Sequence, residues 1–492
     1  MPDFDQCYRA VSSRDPRFDG WFYTAVTSTR IYCRPSCPAL TPKRSNVRFY
    51  ASSAAAQHAG FRACMRCRPD ASPGSPDWDV RADVVGRAMR LISDGVVDRD
   101  GVAGLADQLG YTERHLGRML IAEVGASPIA LARAQRAQAA RILIETTDLG
   151  FAEIAFAAGF GSVRQFNDTV REVYARSPSE LRQARRTDPG PAVAVGGGVT
   201  VSLRLAYRPP LAVEPLLAFL AVRALPGVES VDAGTYHRSL RLPHGVATVA
   251  LTPQRDYVAA TLRLADLRDL APAVNRCRRL LDLDADPAAV DDVLGADDAL
   301  AADVARTPGV RVPRSVDGFE MVCRAVVGQQ ISVASARRVL TRLATDVGEP
   351  VDAADGPVTT VFPSAAAVAD APDTALRMPK SRRRTVRAVA AAAAGGTLDL
   401  TPSGDWEATR QTLLTIPGIG PWTAQYVAMR ALGDPDSFLP TDLVVRRSAA
   451  RLGLPDSPAE LDERAARWRP WRSYAVIRLW RQAHETDPIS GG

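Results

Sequence analysis

The chain has 492 residues, enough for about three or four domains, and its 46% hydrophobic content supports several cores. No run approaches the roughly 18 apolar residues that cross a bilayer, and the charged N-terminus, MPDFDQCYRAVSSRD, has no apolar signal core, so neither a membrane span nor a secretory signal is expected. The net charge of +6 is carried almost wholly by arginine, with lysine only at Lys43 and Lys380, a balance compatible with a nucleic-acid partner.

Cysteine usage sets the reading of residues 1–75. Four of the seven cysteines form two close pairs, Cys33 with Cys37 and Cys64 with Cys67, separated by 26 residues. In a reducing cytosol, the expected location, such pairs favour metal over disulfides, and tetrahedral Zn²⁺ takes four thiolates at this spacing. Metal binding would also supply folding energy that so small a segment needs. Cys7 falls outside the spacing and reads as a packed thiol. The stretches FDQCYRAVSSRDPRFDGWFYTAV, IYCRPSCPA and AGFRACMRCRP resemble the methyl-phosphotriester domain of the Ada alkylation-response proteins. That resemblance implies a small zinc-bound α/β module in which Cys33 is both a ligand and the methyl acceptor. Four thiolates around one Zn²⁺ leave a formal charge of about −2, so the sulfur stays nucleophilic. Moving a methyl group from a DNA phosphate to Cys33 removes one negative charge and raises affinity for DNA. Arg34, with Arg30, Lys43, Arg44, Arg66 and Arg68 around it, is a candidate to hold the phosphate backbone.

Residues 76–187 follow a linker at Ser72–Pro76. Helical spacing runs from Val84 to Ile92. Val102, Leu105, Ala106 and Leu109 mark a further helix that ends at Gly110, and Thr112 caps the next, which buries Leu116 and Leu120. The pattern recurs at Phe151, Ile154, Ala155 and Ala158, then Gly159, the cap Ser162, Phe166 and Val170. Pro128 starts a long connecting helix that reaches about Thr147. The segment GFAEIAFAAGFGSVRQFNDTVREVYARSPSELR is similar to the AraC-type DNA-binding domain, which implies an all-α double helix-turn-helix on double-stranded DNA, with RNA polymerase as a further partner. Arg114, Arg118, Arg164 and Asn167, with Thr112, Glu113, Ser162 and Gln165, start or line the two recognition helices.

Residues 188–198 read as a flexible linker. Over 199–310, strands are expected at VTVSLRLAY, HRSLRL, VATVALTP and YVAATLRL, with helices between them. AFLAVRALPGVESV and TYHRSLRL resemble the N-terminal α/β subdomain of AlkA-type glycosylases, where Phe219 would reach toward a base pocket.

From Arg311 to the C-terminus the spacing is helical. Pro417-Gly418-Ile419-Gly420 forms a hairpin between two helices: the proline fixes one φ, and Gly418 and Gly420 permit positive φ and close approach of another backbone. Backbone N–H groups beside a helix N-terminus suit a phosphate. PGIGPWTAQY, FLPTD and WRPWRSY resemble the helix-hairpin-helix DNA glycosylases of the 3-methyladenine glycosylase II (AlkA) group. The resemblance makes Asp442 catalytic and Trp422, Tyr426 and Trp480 a base pocket. It also places Gln330 at the DNA wedge, where a well-known relative has an apolar residue, and allows a monovalent cation at the hairpin. Leu443 stands where the family can carry an aromatic residue.

These expectations combine into a multidomain α+β protein, likened to a fusion of an Ada-type module, an AraC-type domain and an AlkA-type glycosylase. A flipped, alkylated base would stack on the aromatic set while Asp442 stabilises the developing sugar cation. Lyase relatives carry a lysine where this chain has Trp422, so a monofunctional enzyme is expected, without iron–sulfur cluster because Cys277 and Cys323 are too few. A monomer is expected. The rival reading is a transcription factor whose glycosylase-like half only holds DNA.

Overall fold

A computed structural model of the chain describes residues 2–71, 83–184, 194–195, 198–351 and 356–486. The linker expected at Ser72–Pro76 and most of that expected at 188–198 lie outside these residues. The chain divides into two compact units: Met1–Arg208 with Leu240–Arg276, and Pro209–Ser239 with Cys277–Gly492. Residues 199–310 therefore contribute to both.

In the first unit, Asp3 caps the helix Phe4–Ser12, which packs Cys7, Ala10 and Val11 against Phe22. A four-stranded sheet follows, in the order Val47–Tyr50, Tyr23–Val26, Ile31–Cys33, Arg62–Ala63. Its last pair is parallel, Ile31 against Arg62, and this brings the two cysteine pairs together. The helical region has helices at Val84–Ser93, Val96–Leu109, Glu113–Val124, Pro128–Thr146, Phe151–Ala157, Val163–Tyr174 and Pro178–Gln183. Gly101, at φ +71°, breaks the second of them. Gly110 and Gly159 adopt φ of +75° and +85° at the same place in the two helix-turn-helix units, a conformation that costs other residues about 1–2 kcal/mol. Thr112 accepts from His115 N at 3.3 Å and Ser162 from Gln165 N at 3.1 Å, so both recognition helices start on a side-chain cap. Leu116, Leu120, Phe166 and Val170 are fully buried beneath them.

The connecting helix Pro128–Thr146 also anchors the cysteine module. Its buried Arg141 donates from Nη1 to Asp70 Oδ1 at 2.9 Å and from Nε to Glu145 Oε1 at 2.9 Å, and Arg68 pairs with Glu145. The rest of this unit is antiparallel sheet and the first seven residues of the helix Leu270–Leu280. Tyr257–Leu264 pairs with Gly198–Ala206 on one side and Gly245–Pro253 on the other. Ala194–Val195, inside the expected linker, forms a short strand against Gly198–Ala206.

The second unit opens with the helix Val213–Arg223 and the hairpin of Glu229–Asp232 with Thr235–Leu242, whose strand ends in the first unit. Helices between all the strands were expected; only Val213–Arg223 lies between strands in the sequence. The turns at Ala233–Gly234, Pro243–His244 and Gln254–Asp256 hold two or three residues, too few for a crossover, so the later strands run as antiparallel neighbours. Ala233 and Gly234 both take positive φ, 45° and 76°, which matches the twist of a tight hairpin. The helices come afterwards, at Leu270–Leu280, Pro287–Gly295 and Asp298–Arg306. The expected helical start at Arg311 is also corrected. Residues 310–317 are irregular, with Pro313 unable to donate a helical bond, and the helix begins at Gly318 under an Asp317 cap.

Two hydrophobic clusters then carry the helices of this unit. One gathers Val322, Val326, Leu340, Val386, Val389, Leu413 and Val427 around the helix Gly318–Gly328. The other surrounds the fully buried Trp468 with Phe438, Leu439, Val445, Ile477 and Leu479. The edges of both reach the same cavity: Tyr426 packs against each of them.

Candidate active site and metal centre

The hairpin lies between the helices Trp406–Thr415 and Pro421–Val427. Gly418 has φ +92°, and a Cβ there would meet Thr385 Oγ1 at 2.2 Å, so only glycine fits. Gly420 differs from expectation: its φ is −104° and a Cβ there would meet nothing, so its place is the N-cap of Pro421–Val427 rather than a positive-φ turn. Thr385 Oγ1 donates to Pro417 O at 2.7 Å, and Gln329 Nε2 donates to Gly418 O at 3.1 Å and Thr423 Oγ1 at 2.9 Å. Gln329 thus ties the hairpin to its neighbour Gln330, which is exposed with φ +57° at the tip of a tight turn, and Arg382 donates to Gln329 O. Gln330, the residue expected at the wedge, is therefore exposed beside the hairpin.

Asp442 caps the helix Leu443–Arg451, its Oδ1 accepting from Val444 N at 3.0 Å and Val445 N at 2.9 Å. The same carboxylate accepts two indole bonds, from Trp422 Nε1 to Oδ2 at 2.9 Å and from Trp480 Nε1 to Oδ1 at 3.1 Å. Helix cap and acid site are one group. Trp422 stacks on Tyr426 with centroids 5.2 Å apart and planes 16° apart; Tyr426 lies 6.0 Å from Trp480, and Phe219 stacks on Trp480 at 6.3 Å. All five side chains line a cavity of about 260 Å³, large enough for one base. Sequence reasoning therefore found its aromatic members, but it read the tryptophans only as a stacking surface and missed that their N–H groups fix the acid.

It also missed the cations in this cavity. Arg223 and Arg430 line it, their guanidinium carbons 3.7 Å and 4.7 Å from the Phe219 ring centre. Arg430 Nη1 donates to Tyr426 Oη at 3.1 Å, and its Nε donates to Pro313 O. Burial draws the Arg223 guanidinium down to about 10, against the pull of Tyr426, and lowers Arg430 as well. Arg430 sits in a π-helical turn, Ala428–Leu432, a wide turn that recurs at functional sites. Behind them Arg238 and Arg324 are paired with Glu229 and Glu320, including Arg238 Nη2 to Glu320 Oε2 at 2.7 Å.

In the first unit, the sulfurs of Cys33, Cys37, Cys64 and Cys67 all lie within 4.8 Å of one another. A tetrahedral ion bound at ~2.3 Å spaces its four sulfurs by about 3.8 Å, so the donor set fits Zn²⁺. The hydrogen bond with Cys37 is the main cause that drives the Cys33 thiol up, and the hydrogen bond with Cys33 is the main cause that draws the Cys64 thiol down. Cys37, Cys64 and Cys67 are buried, whereas Cys33 is partly exposed. Cys7 is buried apart from them, its thiol pushed up to about 11 by burial. Arg34, expected on the phosphate backbone, lies 3.4 Å from the buried Asp19 and keeps part of its surface. Arg114, Arg118 and Arg164 are exposed on the recognition helices, and Asn167 donates to Val163 O at 2.9 Å, which turns its amide back onto its own helix.

Four families of known proteins match successive parts of the chain. Residues 6–70 match the metal binding domain of Ada and 105–184 a helix-turn-helix domain. Residues 202–317 match the AlkA N-terminal domain, and 323–473 the HhH-GPD superfamily base excision DNA repair protein. Over 478 residues the chain is 55% identical to the "Probable bifunctional transcriptional activator/DNA repair enzyme AlkA" of Mycobacterium tuberculosis (strain H37Rv), covering 97% of this chain and 96% of that one. The chain belongs to this AlkA-type bifunctional family. The two ends of the family have separate counterparts in Escherichia coli (strain K12). "DNA-3-methyladenine glycosylase 2" is 38% identical over 283 residues, 56% of this chain and 95% of that protein. "Bifunctional transcriptional activator/DNA repair enzyme Ada" is 39% identical over 137 residues, 28% of this chain and 37% of that protein. This AlkA-type chain thus joins a zinc-binding four-cysteine module and a helix-turn-helix regulator to a DNA glycosylase of the helix-hairpin-helix class. No helix among the described residues is long and apolar enough to cross a membrane.

Proposed function

We propose that the protein repairs and reports alkylation damage to DNA through two sites. In the second unit it hydrolyses the N-glycosidic bond of alkylated bases such as 3-methyladenine. The observation that carries this reading is the carboxylate of Asp442, held by two indole N–H groups at the wall of an aromatic cavity. Gln330 enters the duplex and the Gly418–Gly420 hairpin grips the backbone, at a flipping cost of a few kcal/mol. The base enters against Trp422, Tyr426, Trp480 and Phe219, where a cationic base gains ~1–2 kcal/mol from the ring faces. Asp442 stabilises the positive charge that grows on the sugar as the bond breaks, and water completes the hydrolysis. An alkylated base leaves readily, so one carboxylate suffices. With Trp422 where lyases carry lysine, the product is an intact abasic site. The test is release of free base from methylated duplex DNA. Wild type should release it, and Asp442→Asn should fall by about 100-fold or more. Absence of release by wild type would remove the enzyme.

At the other end, Cys33 accepts a methyl group from a DNA methylphosphotriester, in a single turnover. Its support is that Cys33 is the one partly exposed member of the cluster. Bound zinc would hold the four sulfurs as thiolates; Cys33 sulfur attacks the methyl carbon and the phosphate oxygen leaves with the bonding pair. The lost charge favours binding to promoter DNA through Arg34, Arg114, Arg118 and Arg164, with Asn167 free to contact it only if its amide leaves Val163 O, and recruitment of RNA polymerase. The protein acts as a monomer in the cytoplasm.

A further inference from the structure

The cations in the glycosylase cavity bear on which base it takes. Arg238 and Arg324 are matched by Glu229 and Glu320 and form a neutral group. Arg223 and Arg430 have no carboxylate partner within salt-bridge distance among the described residues. Their partners are carbonyls, the Tyr426 hydroxyl and ring faces. The helix end that bears Arg223 is clamped: Arg324 Nη1 donates to Arg223 O at 3.0 Å and Arg337 Nε to Ala224 O at 2.7 Å. Arg430 is 4% exposed and fixed at Nε and Nη1. Asp442 touches Trp480, Trp480 stacks on Phe219, and both guanidiniums lie against Phe219. An acceptor and two donors thus end one row of rings.

Guanidinium N–H groups can only donate. A base edge with a carbonyl completes their hydrogen bonds, which is why arginine pairs with the O6 edge of guanine, whereas adenine presents an amino donor at the same position. An amino group facing a buried donor leaves both unmatched and costs about 1–3 kcal/mol. We infer that Arg223 and Arg430 are specificity-determining residues that make the cavity favour alkylated 6-oxopurines over alkylated 6-aminopurines. This rests on the glycosylase reading above.

The experiment uses the full chain on duplex DNA treated with a methylating agent, and measures 7-methylguanine and 3-methyladenine released in the same single-turnover reaction, corrected for spontaneous loss. Both bases are cationic while bound to the sugar, so a difference in charge does not enter the comparison. Arg430→Met and, separately, Arg223→Gln should each lower 7-methylguanine release at least tenfold more than 3-methyladenine release. Arg223 is more exposed than Arg430 and keeps part of its surface, so its variant retains the test if Arg430→Met does not fold. Equal loss of both bases in the folded variants, or a greater loss of 3-methyladenine, overturns the inference while leaving the glycosylase intact. Release of neither base by wild type overturns the glycosylase reading itself.

Discussion

At the scale of single residues, the indoles of Trp422 and Trp480 have two tasks. Their faces line the cavity and their N–H groups hold Asp442. The tasks separate in a substitution that keeps a ring and removes the donor. Trp480→Phe should slow base release about tenfold to 100-fold, since a hydrogen bond to a charged group is worth about 1.5–3 kcal/mol. Substrate KM should change far less, because the stacking face remains; a KM effect with unchanged kcat would assign Trp480 to base binding alone. Cys33 offers a second residue-scale test. Cys33→Ser should abolish methyl uptake from a methylated phosphate backbone, read by mass spectrometry of the protein, and leave base release unchanged. Trp422, Tyr426 and Trp480 were legible because they are rare residue types in or near recognisable motifs, and Asp442 because it closes one of them, FLPTD. Arg223 and Arg430 were not, since an arginine in an apolar helical stretch looks like a surface residue until the partner element covers it.

At the scale of elements, the hairpin is held from outside. Thr385 and Gln329 occupy its carbonyls, and Gly418 leaves no room for a side chain. Gly418→Ala adds a left-handed conformation disfavoured by about 1–2 kcal/mol and a clash with Thr385 that backbone must relieve. Thermal unfolding should show a loss of about 2–4 kcal/mol. Gly420→Ala, with open space and ordinary φ, should cost less than about 1 kcal/mol. Equal costs at the two glycines would contradict the geometry. Element boundaries in the helical segments were legible from Thr112, Ser162, Pro128 and the paired Gly110 and Gly159, because caps and positive-φ glycines are local signals. Strand connectivity was not, because whether a turn closes a hairpin or leads to a crossover depends on which strands find each other.

At the scale of the whole molecule, a zinc-binding module and a DNA glycosylase share a chain and rely on different sources of stability. The cysteine module packs a small core around Cys7 and Phe22 and closes on Arg141, whose pair with Asp70 is buried and whose pair with Glu145 is partly buried. Breaking such a pair from one side costs about 3–5 kcal/mol, so Arg141→Met should destabilise the first unit in a denaturant titration. Metal chelation should abolish methyl acceptance and unfold the module, as expected where metal binding is folding energy. Base release should persist, since every residue of the glycosylase cavity lies in the second unit. The cysteine cluster and the helix-hairpin-helix segment were legible in the sequence because each has its own motif; the boundary between the units was not, because the strands of residues 199–310 are shared out between both. The most direct test exposes the full zinc-loaded chain to methylated duplex DNA and measures, in one reaction, free alkylated base in solution and the methyl content of the peptide holding Cys33. A released base and a single methyl on Cys33 are both expected. No base, or a methyl found on another residue, would contradict the proposed function.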